Sequence, residues 1–167
     1  CNAAAKFNRG RHGIYNVDYD LTFDGLQRFP GSNAPQIGQE IKAILERGWG
    51  GVYLWSQGFG NAKTELLKIA VAEWVRMGND GRFALFADLV DEMREAFGND
   101  QPQPGADQWD RSSAYQRLQM MQAIPLLAID ELEEVSLTTY TTNTRFRLFN
   151  ERYERTTRMY SGITLIA

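Results

Sequence analysis

Apolar residues along this chain follow two spacings that take turns. Across residues 35–47, Ile37, Ile41, Ile44 and Leu45 recur at three- and four-residue intervals, which predicts an amphipathic helix ended by Gly48 and Gly50. G-V-Y-L-W-S, residues 51–56, is short, apolar and β-prone, and predicts a strand. A glycine-rich stretch follows, and then T-E-L-L-K-I-A-V-A-E-W-V-R-M. Its Leu66, Leu67, Ala70, Val71, Trp74 and Val75 share one helical stripe that stops at Gly78. The alternation continues with a strand over 82–87 and a helix starting near Asp88, its expected N-cap. Breaker residues make 98–107 a loop, and 109–123 is weakly helical. I-P-L-L-A-I-D-E, residues 124–131, predicts a buried strand ending in two acids. A helix over 140–157, with Phe146, Leu148, Phe149 and Tyr153, and a last strand over 161–167 complete the pattern.

Strands alternating with helices predict an α/β domain with a mostly parallel sheet covered on both faces. Residues 1–34 are polar, with scattered Gly, Asn and Pro, and read as an irregular leader; 35–167 form the domain. Within that leader, L-T-F-D-G-L (residues 21–26) alternates enough to pack locally.

Composition narrows the classes. A chain of 167 residues suffices for one domain with a real core. No apolar run approaches the roughly 18 residues of a membrane span, and the first residues lack the apolar core of a signal peptide. The formal charge of −3 argues against nucleic-acid binding by overall electrostatics. Arg145, Arg147, Arg152, Arg155 and Arg158 nevertheless crowd the last quarter, either as a solvated helix face or as a contact for phosphates or a neighbouring subunit. One cysteine, Cys1, and one histidine, His12, are too few for a zinc site, and a single thiol fits a reducing, cytoplasmic setting.

Two short motifs carry candidate chemistry. W-S-Q-G-F-G-N-A-K-T-E-L-L sits between a predicted strand and a predicted helix, where free N–H groups and the helix dipole attract phosphate. Lys63 and Thr64 match the end of a phosphate-binding loop, whose lysine reaches phosphate and whose hydroxyl binds Mg²⁺. Gly58 and Gly60 allow close backbone approach, and Asn61 tolerates left-handed geometry; Phe59, Ala62 and Glu65 complete the candidate loop. Gln57 and Ala62 stand where the pattern has glycine, Gln57 being the larger departure. An ordinary strand-to-helix turn is the alternative for this stretch. The second motif is Asp130-Glu131. Two acids at the end of a buried strand are costly without a purpose, although a simple loop start would also place them there. In phosphate-loop enzymes the first acid helps hold Mg²⁺ and the second polarises water. In a parallel sheet both motifs come to the same edge, which favours a nucleotide site.

Together, L-W-S-Q-G-F-G-N-A-K-T-E-L-L, F-A-D-L-V-D-E-M-R-E-A-F, L-L-A-I-D-E and F-N-E-R-Y-E-R-T-T-R-M-Y-S-G-I-T-L-I-A resemble the bacterial and phage replicative helicase loaders (DnaC-like) and the related IstB-like transposition ATPases. Both groups are AAA+ proteins, and the resemblance covers roughly residues 20–167. It implies a three-layer P-loop NTPase core that binds ATP and Mg²⁺, with Lys63 and Thr64 at phosphate and metal, Asp130 supporting the metal and Glu131 activating water. It implies a homo-oligomer working on DNA, single- or double-stranded, with a replicative helicase or a transposase as partner. Arg152 and Arg155 match the family's R-Y-E-R segment, where a subunit or DNA contact and a surface salt bridge are both open. In the family, the strand I-T-L-I-A leads on to a sensor residue, a helix, a fifth strand, an arginine finger and often a lid. The expectation is therefore a core truncated after its fourth strand, with slow hydrolysis or a nucleotide-binding switch as the consequence.

Overall fold

The computed structural model describes residues 22–28, 33–56, 62–96, 114–133, 136 and 138–167. A 3-10 helix at Phe23–Arg28 precedes α1 (Ala34–Arg47), β1 (Trp49–Tyr53), α2 (Lys63–Arg76), β2 (Gly81–Leu85) and α3 (Phe86–Ala96). There follow α4 (Ala114–Ala123), β3 (Leu126–Asp130), α5 (Thr139–Met159) and β4 (Gly162–Ile166). Cys1, His12, most of the expected leader and the loop 98–107 lie outside the described residues.

All four strands are parallel, in the order β1-β4-β3-β2. Each residue of the interior strand β3 is buried. Because successive side chains of a strand point to opposite faces, β3 feeds two cores. Leu126 and Ala128 pack with Ile41 and Leu45 of α1 and with Leu66, Ile69 and Ala70 of α2. Leu127 and Ile129 pack with Phe86 and Leu89 of α3, Met121 of α4 and Leu148 of α5. The result is three layers, helices–sheet–helices. Each fully buried Leu, Ile or Phe contributes about 1.5–3 kcal/mol of transfer free energy, so both helical layers are held chiefly by apolar burial.

Element ends follow local chemistry and packing. Gly48, at φ 81°, takes the left-handed conformation that closes α1, and its N–H donates to the carbonyls of Ile44 and Leu45. Thr138 and Thr141 start α5 with a reciprocal pair: the Thr141 N–H donates to Thr138 Oγ1 at 3.2 Å, and the Thr138 N–H to Thr141 Oγ1 at 2.9 Å. Asp88 is not the N-cap of α3. The helix begins at Phe86, directly after β2, and Asp88 falls in its first turn. Phe86 is fully buried among α3 and its neighbours, so packing starts the helix three residues before a cap at Asp88 would.

The 3-10 helix packs as the sequence suggested, and deeply. Leu26 is fully buried with Phe23 beside it in the α1–α2 core. The approach is close enough that a Cβ at Gly38 would lie 2.7 Å from Leu26 Cδ1, so α1 needs glycine there. Among the described residues, no helix is long and apolar enough to cross a membrane.

Candidate functional site

Parallel pairing brings the two motifs together. Tyr53, Ile166 and Ile129 share one row of the register, so β1, β4 and β3 finish level with one another. Beyond β1, Leu54 stays in the ladder through its N–H to the Ile166 carbonyl at 2.8 Å, Trp55 turns outward, and Ser56 is half-buried. Gln57, Gly58, Phe59, Gly60 and Asn61 lie outside the described residues. Ala62 follows as the N-cap of α2, in a left-handed conformation with φ 59° and 7% exposed. It has no side-chain oxygen with which to cap the first turn of α2.

Lys63, Thr64 and Glu65 form that first turn. The Lys63 ammonium donates to Ser56 Oγ at 2.8 Å. Thr64 Oγ1 donates to Asp130 Oδ2 at 2.5 Å, across 66 residues of chain. The other carboxylate oxygen, Oδ1, accepts the N–H of Glu131 at 3.0 Å. Asp130 is 4% exposed, and among the described residues its partners are this hydroxyl and this N–H. A buried carboxylate without a cation is costly unless something compensates it.

Glu131 is exposed and takes a left-handed backbone, φ 57°, which ends β3 and turns the chain away from the sheet. Three contacts fix the turn after it. The Leu132 N–H reaches the Ala167 carbonyl at 3.5 Å, Arg145 donates to the Leu132 carbonyl, and the Tyr53 hydroxyl donates to Glu133 Oε1 at 2.8 Å. The hydrogen bond to Glu133 raises the Tyr53 phenol above its ordinary pKa of 10.0, with burial and the carboxylate's charge adding to it. Residues with φ above zero other than glycine are uncommon and tend to cluster at functional sites. Here Ala62 and Glu131 flank the Thr64–Asp130 bond.

The two arginines separate. Arg152 is 4% exposed and faces inward. It donates from Nε to Thr164 Oγ1 at 2.7 Å, from Nη1 to the carbonyls of Met121 at 2.9 Å and Ile124 at 2.8 Å, and from Nη2 to the Ile163 carbonyl at 2.5 Å. All its nitrogens are thus spent joining α4, the turn before β3, and β4. A contact with DNA or a neighbouring subunit does not fit Arg152, because its donors are occupied inside the domain. Burial pushes its guanidinium down to about 9, the nearby Arg155 adding to the effect, and it stays charged at neutral pH. Arg155 is half-buried and donates to the Gln122 carbonyl at 3.3 Å. Ser56 and Tyr53 were not singled out as site residues by sequence, and Arg145 was named only within the arginine cluster of the last quarter. Arg152 had a signal: Thr141, Thr144, Leu148 and Arg152 recur every three or four positions on the buried stripe of α5.

The fold is a three-layer α/β arrangement around a parallel sheet, with the strand ends, the N-terminus of α2 and the Asp130 carboxylate on one edge. Solved structures that share it include a DNA replication initiation factor, with a TM-score of 0.65 at 20% identity over 91% of this chain and 42% of that one. DnaA from Aquifex aeolicus bound to AMPPCP gives 0.65 at 20% identity, covering 88% and 41%. The replication initiator DnaA bound to AMPPCP and single-stranded DNA gives 0.68 at 19% identity, again covering 88% and 41%. The chain therefore spans about two fifths of the length of these proteins. At such identities the likeness is one of fold. No protein family model and no curated protein matches the chain by sequence.

Proposed function

We propose that the chain is an ATP-binding AAA+ protein of DNA replication, acting as a helicase loader. The observation that carries the nucleotide reading is the Thr64–Asp130 hydrogen bond at 2.5 Å, which joins the two sequence motifs into one polar site. The residues present fit the ligand. A left-handed residue opens α2, an ammonium and a hydroxyl occupy its first turn, and a buried carboxylate faces the hydroxyl. Among the described residues no cluster of three or more His, Cys, Asp or Glu forms a metal cage. One carboxylate and one hydroxyl suit Mg²⁺, which is commonly held by one or two carboxylates together with substrate phosphates.

In this reading Lys63 and the first-turn N–H groups hold phosphate, and Thr64 and Asp130 hold the metal. Bound Mg²⁺ neutralises charge on the phosphate oxygens. Asp130 is already oriented by its two hydrogen bonds, so its carboxylate need not reorganise on binding. Glu131, exposed at the strand end with its backbone turned outward, is the group to orient and deprotonate water. Hydrolysis, assembly with further copies and a grip on single-stranded DNA belong to the same proposal. It is supported by the fold shared with a DnaA that was solved with AMPPCP and single-stranded DNA. Arg155 is the remaining candidate of the R-Y-E-R pair for a subunit or DNA contact.

Titration with a fluorescent ATP analogue tests the site. Wild type binds in the presence of Mg²⁺, and Lys63→Ala loses most of that affinity; equal binding by the two refutes the nucleotide site. Pull-down with a replicative helicase tests the loader role, and capture of a transposase in its place would select the transposition role instead.

A further inference from the structure

We infer that Ser56 is a positioning residue for Lys63. Its hydroxyl holds the lysine ammonium at the exit of β1 before any phosphate arrives. The inference rests on the nucleotide reading above and assigns a role to a residue of the first stretch that the loop pattern itself does not use.

Three observations carry it. First, the bond is short and charge-assisted: Lys63 Nζ to Ser56 Oγ is 2.8 Å, between two half-buried side chains. Second, the strand fixes the acceptor. The Leu54 N–H bonds the Ile166 carbonyl at 2.8 Å, and Leu54 is buried, so the backbone two residues before Ser56 is anchored in the sheet. Third, the bond joins Ser56, three residues beyond the end of β1, to the first residue of α2. It therefore ties the strand end to the helix end on which phosphate would sit.

The chemistry follows from the donor count. A lysine ammonium has three donors, and among the described residues Ser56 takes one, so the same ammonium can hold the serine and still donate to phosphate oxygens. A free lysine side chain would have to give up rotamer freedom on binding; one already held has given up much of it. An alanine at position 56 removes the acceptor without adding bulk. A threonine keeps it.

The test uses the full chain in four forms: wild type, Ser56→Ala, Ser56→Thr and Lys63→Ala. Titration with a fluorescent ATP analogue is expected to show Ser56→Ala binding about five- to tenfold more weakly than wild type, with Ser56→Thr restoring most of the affinity. A second readout needs no nucleotide. Acetylation of Lys63 by acetic anhydride, which transfers one acetyl group to the amine and releases acetate, followed by peptide mass spectrometry, is expected to run about twofold or more faster in Ser56→Ala, because the ammonium loses the Ser56 hydroxyl. If wild type binds, Lys63→Ala does not, and Ser56→Ala matches wild type, the positioning role is overturned and the nucleotide site stands. If Lys63→Ala binds as wild type does, the nucleotide reading falls and the positioning role with it. An unchanged acetylation rate in Ser56→Ala also overturns the inference, whatever the titrations give.

Discussion

Replacing Arg152 with alanine would remove four short hydrogen bonds from the interior at once. Two opposing effects set the size of the loss. Burial disfavours the charge: the guanidinium is lowered to about 9, a penalty of several kcal/mol at about 1.4 kcal/mol per pKa unit. Against it stand the bonds to Thr164 Oγ1 and to the carbonyls of Met121, Ile124 and Ile163. Hydrogen bonds to a charged group contribute about 1.5–3 kcal/mol each, so four give roughly 6–12 kcal/mol. Alanine also leaves a cavity and deprives three carbonyls of a partner. The expected net cost is about 2–5 kcal/mol, a large part of the roughly 5–15 kcal/mol available to a domain. Lysine keeps the charge but lacks the planar fork and two of the five donors, so Arg152→Lys falls between. Urea unfolding followed by tryptophan fluorescence measures this: with a slope of about 2 kcal/mol/M, Arg152→Ala lowers the midpoint by about 1–2 M. A midpoint within about 0.3 M of wild type would refute the reasoning. The pH dependence has a definite sign. Since the folded pKa, about 9, lies below the unfolded one, the unfolded chain binds more protons in the alkaline window that opens near pH 9. This group's contribution to stability is therefore constant at neutral pH and rises with pH across that window.

Two further outcomes concern the site itself. Thr64→Val removes the donor to Asp130 Oδ2 in a carboxylate that is 4% exposed, and is expected to cost about 1–3 kcal/mol by urea unfolding; a loss below about 0.5 kcal/mol would mean that the carboxylate does not depend on this hydroxyl. Ala62→Gly relieves a left-handed alanine at φ 59°, where strain of about 1–2 kcal/mol is partly offset by the buried methyl lost; stability unchanged or raised by up to about 1 kcal/mol is expected, and a loss above 1 kcal/mol counts against a strained turn.

Much of the fold was legible because it rests on periodicity. The stripe of Leu66, Leu67, Ala70, Val71 and Trp74 made α2 readable, and the breakers Gly48 and Gly78 bounded α1 and α2 closely. Boundaries moved where packing outweighed local signals. Phe86 pulled the start of α3 back to the end of β2, and β1 took in Trp49 and Gly50 because both lie in register with β4. The meeting of the two motifs was legible: Thr64 at the start of α2 reaches Asp130 at the end of β3, with Lys63 beside it in the same turn. The parts played by Ser56 and Tyr53 were not legible, since a serine that the loop pattern does not use and a lone tyrosine gain meaning only from what lies opposite them; Arg145 stood out only as one of a cluster of arginines.

The sequence by itself determined the alternation of strand and helix, the apolar stripes and the two polar motifs. These depend on residues close together in the chain, where backbone geometry fixes which side chains share a face. Only the tertiary structure decided how Arg152 and Asp130 are used. Both are charged, and by type alone both belong at the surface. One is satisfied by carbonyls from α4, the turn before β3, and β4; the other by a hydroxyl 66 residues away. Whether a charge can be buried depends on partners that only the folded sheet brings within hydrogen-bonding distance.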